Sequence, residues 1–304
     1  MSESPQAVAT ELVCAVLSWF RIAGRPRPWR APDTTPWGVL VSEFMCQQTQ
    51  VDRVVPKWLA WMERWATPPD LAGDDVAQAL RSWDRLGYPR RAKWLHASAT
   101  IITIEHAGEV PSSTGNLRAL PGVGEYTAAA VQAFAFDMAS VVLDTNVRRV
   151  LARALNGEAV PRPHLTNGER EQAMDLVAVA ERGLEGEGPQ GAQWSAAVME
   201  LGALVCTASR PSCDTCPLIR VCAWRQAGYP PATLRARRQA AFQGSDRQVR
   251  GRIMALLRGS LTPVPASALE TVWNDREQLQ RAADSLLADG LIQRAPSGDF
   301  HFPN

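Results

Sequence analysis

Four of the six cysteines fall within seventeen residues, spaced Cys206-x6-Cys213-x2-Cys216-x5-Cys222. Thiolates this close together in a loop-rich segment can wrap one cube-shaped iron–sulfur cluster. Structural zinc also takes four cysteines, usually as two close pairs separated by a longer loop. Here only Cys213 and Cys216 are that close. Two disulfides are a third possibility, which a reducing compartment disfavours. An iron–sulfur cluster is favoured over zinc. Cys14 and Cys46 stand apart and read as small buried hydrophobes, although Cys46 adjoins a candidate active-site segment.

The N-terminus, MSESPQAVATELVC, lacks the basic start and apolar core of a secretory signal. The sequence shows no run of about eighteen apolar residues, so no membrane span is expected. These features point to the cytoplasm. With 304 residues, 32 Lys+Arg against 31 Asp+Glu and 46% hydrophobic residues, the chain reads as an ordinary globular protein of about two domains. Intrinsic disorder and a strongly basic coat are excluded; a local basic patch is not.

Helical spacing dominates the first 230 residues. Leu12, Val16, Trp19 and Phe20 form one apolar face, and Trp37 to Met45 another. Further helical patterns cover Val54–Trp65, Val76–Trp83, Arg91–Ile104, 147–154, 170–182 and 193–205. No period-two strand pattern precedes residue 290. The 11 tryptophans need no function: Trp58, Trp61, Trp65, Trp83, Trp94 and Trp194 read as core. Residues 229–245 are Pro-rich and then basic, either a solvated linker or a phosphate-contacting strap. Residues 246–304 read as three helices (Val249–Leu257, Ala266–Trp273, Leu279–Leu287) and a hairpin (Leu291–Arg294, Phe300–Phe302). That order suggests a small winged-helix-like unit, or a structural cap on the main body.

Three segments suggest chemistry. In LPGVGEYTA, Gly122 and Gly124 make a tight turn ahead of a helix, where backbone N–H groups can meet a phosphate. A plain αα-hairpin has the same pattern. Glu43 sits in an apolar helical stretch, WGVLVSEFMC, where burial would keep a proton on it, as a general acid requires. A carboxylate at the helix rim or in an ion pair fits equally. Asp144 directly precedes a helix, in the N-cap region, where N–H donors and the dipole favour the charged form. A plain cap is the simpler reading. One protonated and one ionised carboxyl are what cleaving a glycosidic bond through an oxocarbenium-like state requires.

Together, SEFMCQQTQV, LGYPRRAKWLH, LPGVGEYTA, LDTNVRRVLAR, MELGALVC and the cysteine spacing resemble the adenine DNA glycosylases of the MutY type. These belong to the helix-hairpin-helix superfamily shared with endonuclease III. The resemblance covers about residues 10–228. Glu43 ahead of QQTQV is its most discriminating part, because endonuclease III-like enzymes lack that Glu.

The resemblance implies a mostly α, two-lobed fold with a cluster loop. A six-helix barrel with the hairpin would span 30–140. Residues 1–29 with 141–228 would form a lobe carrying a [4Fe–4S] cluster on Cys206, Cys213, Cys216 and Cys222. Double-stranded DNA would bind across the cleft, with a mispaired adenine flipped out. Glu43 would protonate the adenine ring and Asp144 stabilise the sugar cation, with Tyr126 and Asn146 supporting them. Bifunctional relatives carry a Lys at the Tyr126 position, so base removal without strand cleavage is implied. Gln48 and Tyr88 match residues that wedge into the duplex. Leu120, Gly122, Val123 and Gly124 match the hairpin's DNA contact, and Arg25, Trp29 and Cys46 the base pocket.

The implied activity is monofunctional hydrolysis of adenine opposite 8-oxoguanine or guanine, in base excision repair on the nucleoid, by a monomer. Rival readings are a thymine or uracil mismatch glycosylase and a non-catalytic iron–sulfur DNA-binding protein. Family members often carry Leu where this chain has Cys46, Gln or Glu at Ala196, and an aromatic at Pro89. Many also carry a C-terminal nucleotide-hydrolase-like domain that reads 8-oxoguanine. Residues 245–304 are too short for it.

Overall fold

Fifteen α-helices make up most of the regular structure among the residues that the computed structural model describes: 4–183, 188–232 and 241–303. In chain order they are α1 (Pro5–Ala23), α2 (Pro36–Cys46), α3 (Val51–Arg64), α4 (Pro68–Ala72), α5 (Val76–Trp83) and α6 (Arg90–Glu105). Next come α7 (Thr114–Ala119), α8 (Glu125–Phe136), α9 (Thr145–Asn156), α10 (Asn167–Glu181) and α11 (Gly191–Leu204). After these, α12 (Ala223–Gln226), α13 (Asp246–Arg258), α14 (Ala266–Leu269) and α15 (Arg276–Ala288) precede a hairpin of β1 (Gln293–Arg294) and β2 (Phe300–His301). Helix boundaries follow local chemistry. Thr67 and Asp70 form a capping box at α4, and Thr166 and Glu169 another at α10. Gly157, left-handed at φ 67°, ends α9.

The chain divides into two compact units. One comprises residues 1–39, 112–118 and 123–236. Its core takes Leu12, Val16 and Leu17 from α1, Val150 and Leu151 from α9, Leu176 from α10, and Trp194, Val198 and Leu201 from α11. Each helix thus turns one apolar stripe inward. The window Gln6–Ala23 of α1 is long and apolar enough to cross a membrane by length and composition. The window is not a continuous apolar run, since it holds Gln6, Thr10, Glu11, Ser18 and Arg21. The same helix buries Leu12, Val13, Val16 and Leu17 completely within this core.

The other unit comprises residues 40–111, 119–122 and 237–304. At its centre Trp61 meets Trp65 edge-on at 4.5 Å and Trp83 at 5.7 Å, so these tryptophans are core. Trp94 is only half-buried, under the Arg90 guanidinium. The C-terminal helices join the same unit through their carboxyl ends. Arg81 donates to the carbonyls of Leu257 (2.9 Å) and Arg258 (3.0 Å), and Lys93 to that of Asp289 (3.3 Å). These carbonyls stand at helix ends, at the negative end of the dipole, so cations belong there.

The order of helices and hairpin after residue 245 is as the sequence suggests, with α13 and α15 longer and α14 and both strands shorter than expected. α14 stops at Leu269, because the chain turns with the Thr271 hydroxyl bonded to the Ala268 carbonyl. Leu291 and Ile292 are buried, leaving two residues per strand to pair. Val264 bridges to Phe300 beside the hairpin. Arg235, Arg237 and Arg238 of the basic linker lie outside the described residues. Replacing Trp61 with Ala empties the tryptophan cluster and is expected to cost about 3–5 kcal/mol, read as a fall in the denaturation midpoint.

Candidate active site

Asp144 is the N-cap of α9. Its carboxylate accepts the Val147 backbone N–H (2.6 Å) and the Asn146 side-chain amide (2.8 Å). Asn146 is held in turn by Arg149, whose Nη2 donates to Asn146 Oδ1 (2.8 Å) and to the Gly202 carbonyl (2.7 Å). Arg149 Nε reaches the Cys206 carbonyl at 2.7 Å. Gly202 lies so close that an added Cβ would stand 2.7 Å from Asn146 Cβ and 2.9 Å from its carbonyl oxygen.

The cap geometry is as expected, but the expected electrostatic balance is not found. Burial pushes the Asp144 carboxyl above the ordinary aspartate value, against the opposing pull of Val147, Asn146 and Arg149. Cap reasoning counts local donors alone; packing around α9 supplies the larger desolvation. Burial likewise lowers the Arg149 guanidinium.

Tyr126 is half-buried on the first turn of α8, beside the small cluster of Ala130, Ala133, Val142 and Ala192. Arg25 is engaged by Glu200 on α11, which accepts both its backbone N–H and its Nε. Arg30 donates to the second Glu200 oxygen at 3.2 Å. Burial opposes the charge on Glu200, yet the two arginines hold its carboxyl below the usual range. Trp29 lies half-buried in the single 3-10 turn Pro28–Arg30 between them.

The four clustered cysteines belong to this unit too. All are half-buried, none is in a disulfide, and Cys206, Cys216 and Cys222 pack on the core. Burial pushes the Cys216 thiol up to about 11, and Cys206, Cys222 and Cys213 add to the rise. The four therefore share one locality. No three His, Cys, Asp or Glu side chains among the described residues close around a point as a single ion requires. Positive charge is at hand: Arg153, itself buried, donates to Cys206 Sγ (3.3 Å) and to the carbonyls of Thr207 and Ala208.

Glu43 belongs to the second unit. It is buried on α2, among Leu40, Val41, Phe44 and Met45. The burial anticipated from the apolar sequence is therefore present. Cys46, one turn on, is half-buried, whereas Gln48 and Tyr88 are exposed. The turn between α7 and α8 holds Gly122 at φ 79°, where a Cβ would strike the Phe44 and Trp94 rings at 2.9 Å. That glycine serves packing. Gly124 has nothing within 4 Å of a Cβ position, leaving its backbone open to close approach. Leu120 and Val123 are buried, so only their backbone groups could meet a ligand.

The sequence reading does not single out Arg149, Glu200, Gly202 or Arg91 as functional. Glu200 and Gly202 do lie in MELG, ahead of the first clustered cysteine, Arg91 in LGYPRRAKWLH and Arg149 in LDTNVRRVLAR. That placement is the only local signal.

Comparison with known proteins bears on the same residues. The model of the HhH-GPD superfamily of base excision DNA repair proteins matches residues 41–175. Adenine DNA glycosylase of Mycolicibacterium smegmatis is 48% identical over 94% of this chain and 94% of its own length. The Mycobacterium tuberculosis protein of that name is 46% identical over 95% and 92%. The human one is 37% identical over 70% of this chain and 39% of its own. Among solved structures, a thermostable thymine-DNA glycosylase aligns with TM-score 0.65 at 23% identity, covering 74% of this chain and all of that one. An endonuclease III in complex with DNA aligns at 0.61 and 20% identity, over 74% and 99%. These two share the fold.

Gly202→Ala forces the Asn146 backbone aside. It is expected to destabilise by about 1–3 kcal/mol and to lower turnover beyond what the lost folded fraction accounts for, measured by thermal melting and single-turnover rates.

Proposed function

The chain belongs to the adenine DNA glycosylase family of the HhH-GPD superfamily, and we propose that it hydrolyses the N-glycosidic bond of adenine mispaired with 8-oxoguanine or guanine in duplex DNA. The observation that carries this reading is the seat of Asp144. It is a carboxylate with its donors fixed by α9, in a chain whose near-full-length relatives carry that enzyme's name. Such a group can face the positive charge that grows on the sugar as the base departs.

Glu43 supplies the proton to the departing adenine ring and then takes one from water. It is buried on α2, out of bulk water. Asn146 keeps Asp144 in place, and Tyr126 occupies the position where a lyase would carry its amine. Base removal therefore precedes strand cleavage, which needs added alkali. Gln48 and Tyr88 wedge the duplex open. The hairpin meets a phosphate through backbone N–H groups, with Gly124 giving the close approach. Arg25, Trp29 and Cys46 border the base. One monomer suffices for one lesion, and the cytoplasm or nucleoid is the proposed location.

Cys206, Cys213, Cys216 and Cys222 would hold a [4Fe–4S] cluster, which supplies a covalent tie across an otherwise irregular loop and potential redox chemistry. Protein purified without oxygen is expected to be brown and to contain four irons per chain. A colourless protein with one zinc per chain would overturn this assignment.

The activity is tested with duplexes bearing A:8-oxoguanine, A:G, A:C, T:G and U:G pairs, treated with hot alkali after incubation. Cleavage at adenine opposite 8-oxoguanine and guanine is expected, and absent without alkali. Cleavage confined to T:G or U:G, or none at adenine, contradicts the proposal. Glu43→Gln and Asp144→Asn should each slow excision by at least about 10²-fold. Asp144 acts as the carboxylate, and burial raises its pKa. The rate should therefore fall as pH drops through a value above 3.8, where an ordinary aspartate would titrate.

A further inference from the structure

Arg91 lies on the first turn of α6, and its side chain is 3% exposed. Its guanidinium meets two separate turns. Nη1 donates to the carbonyls of Phe44 (2.7 Å), Met45 (3.1 Å) and Gln47 (2.5 Å). Nη2 donates to the Thr49 hydroxyl (3.0 Å) and to the carbonyls of Leu86 (3.3 Å) and Gly87 (3.1 Å). The flat group also lies between two rings, 5.2 Å from Trp83 and 5.6 Å from Tyr88. A charge so buried, with its burial pulling its pKa down to about 10, is tolerated only because so many acceptors answer it.

Two of those acceptors have particular neighbours. Gln47 immediately precedes Gln48, and Gly87 immediately precedes Tyr88. Both following residues are left-handed, Gln48 at φ 52° and Tyr88 at φ 45°. Neither is a glycine, so each conformation is strained and must be imposed by its surroundings. A cation bonded to the carbonyl just ahead of each residue is such an imposition. Both side chains then emerge exposed, on turns joined through one planar group.

We propose that Arg91 is the positioning residue of the duplex wedge, its guanidinium locking turns 44–49 and 86–88 together so that Gln48 and Tyr88 enter the helix as one unit. This rests on the reading above that these two residues open the duplex. Arg91 touches no reacting atom and acts through its neighbours. Lysine cannot replace it. An ammonium is a single point of donors, whereas the guanidinium fork spans both turns at once.

The test uses the full chain in a Glu43→Gln background, so that excision does not intrude. A duplex carries 2-aminopurine, which brightens when it leaves the base stack, in place of the target adenine. Adding Arg91→Lys is expected to lower the extrusion equilibrium about tenfold. Thr49→Val keeps the cation but removes one of its acceptors, together with that hydroxyl's own bonds to the Gln47 (3.2 Å) and Leu86 (3.1 Å) carbonyls, and should lower it about threefold. In a Gln48→Ala, Tyr88→Ala background, Arg91→Lys should change it less than about twofold, the non-additivity expected of residues acting as a unit.

A cation that merely held the fold would lower stability without this dependence on the wedge. The proposal fails if cooperatively folded Arg91→Lys extrudes the base as its parent does, or loses as much without the wedge side chains. Should Arg91→Lys not fold, Thr49→Val decides alone: an unchanged equilibrium overturns the proposal. Adenine excision by the unmutated chain, run alongside, separates the two readings. Its absence sinks the proposed function, while its presence with unaltered extrusion sinks only the role of Arg91.

Discussion

Guanidinium groups bonded to backbone carbonyls pin the irregular chain beside the reactive residues to the helices. A protein built of helices leaves carbonyls unpaired at each helix end and along each connection. Asp144, Gln48, Tyr88 and the clustered cysteines lie at or on those connections, while Glu43 and Tyr126 stand on helices. Arg149 ties Gly202 and Cys206 to the start of α9. Arg153 ties the loop beyond Cys206 to the last turn of the same helix. Arg91 and Arg81 do the same for turns of the second unit. Each bond set pins irregular chain to a rigid helix, which is how a helical scaffold places a loop group accurately.

The burial that makes these bonds strong also reshapes the titrating groups. Asp144 receives good donors, yet desolvation outweighs them and its carboxyl rises. Glu200 is deeply buried as well, yet two arginines reverse the sign. The difference is the kind of partner. Full positive charges in direct contact offset desolvation, whereas a backbone amide, a side-chain amide and a more distant guanidinium do so incompletely.

Much of this architecture can be read from periodicity and spacing. Apolar residues at helical intervals mark α3, α5, α6 and α11 closely, because one stripe on each helix must be buried. The cysteine spacing and the buried setting of Glu43 follow from short segments. Arg91, Arg149 and Gly202 do not. Each meets backbone more than forty residues away as well as nearer groups, and backbone carbonyls carry no sequence signature. The Asp144 cap is legible for a related reason in reverse: its donors are two and three residues distant, while the burial that raises it comes from the packed unit. Leu120 and Val123 show the same limit. A motif places them at a DNA contact, but only the structure shows that their side chains face inward.

The central claim is that the Asp144 carboxylate, held by α9 and Asn146, faces a sugar cation. It is tested most directly by binding, free of any chemistry. One duplex carries a cationic pyrrolidine in place of the target sugar, and a second carries its neutral tetrahydrofuran counterpart. The account predicts that the unmutated chain prefers the cationic duplex by at least about 10²-fold, and that Asp144→Asn loses most of that preference. Equal affinity of the unmutated chain for the two duplexes would contradict it.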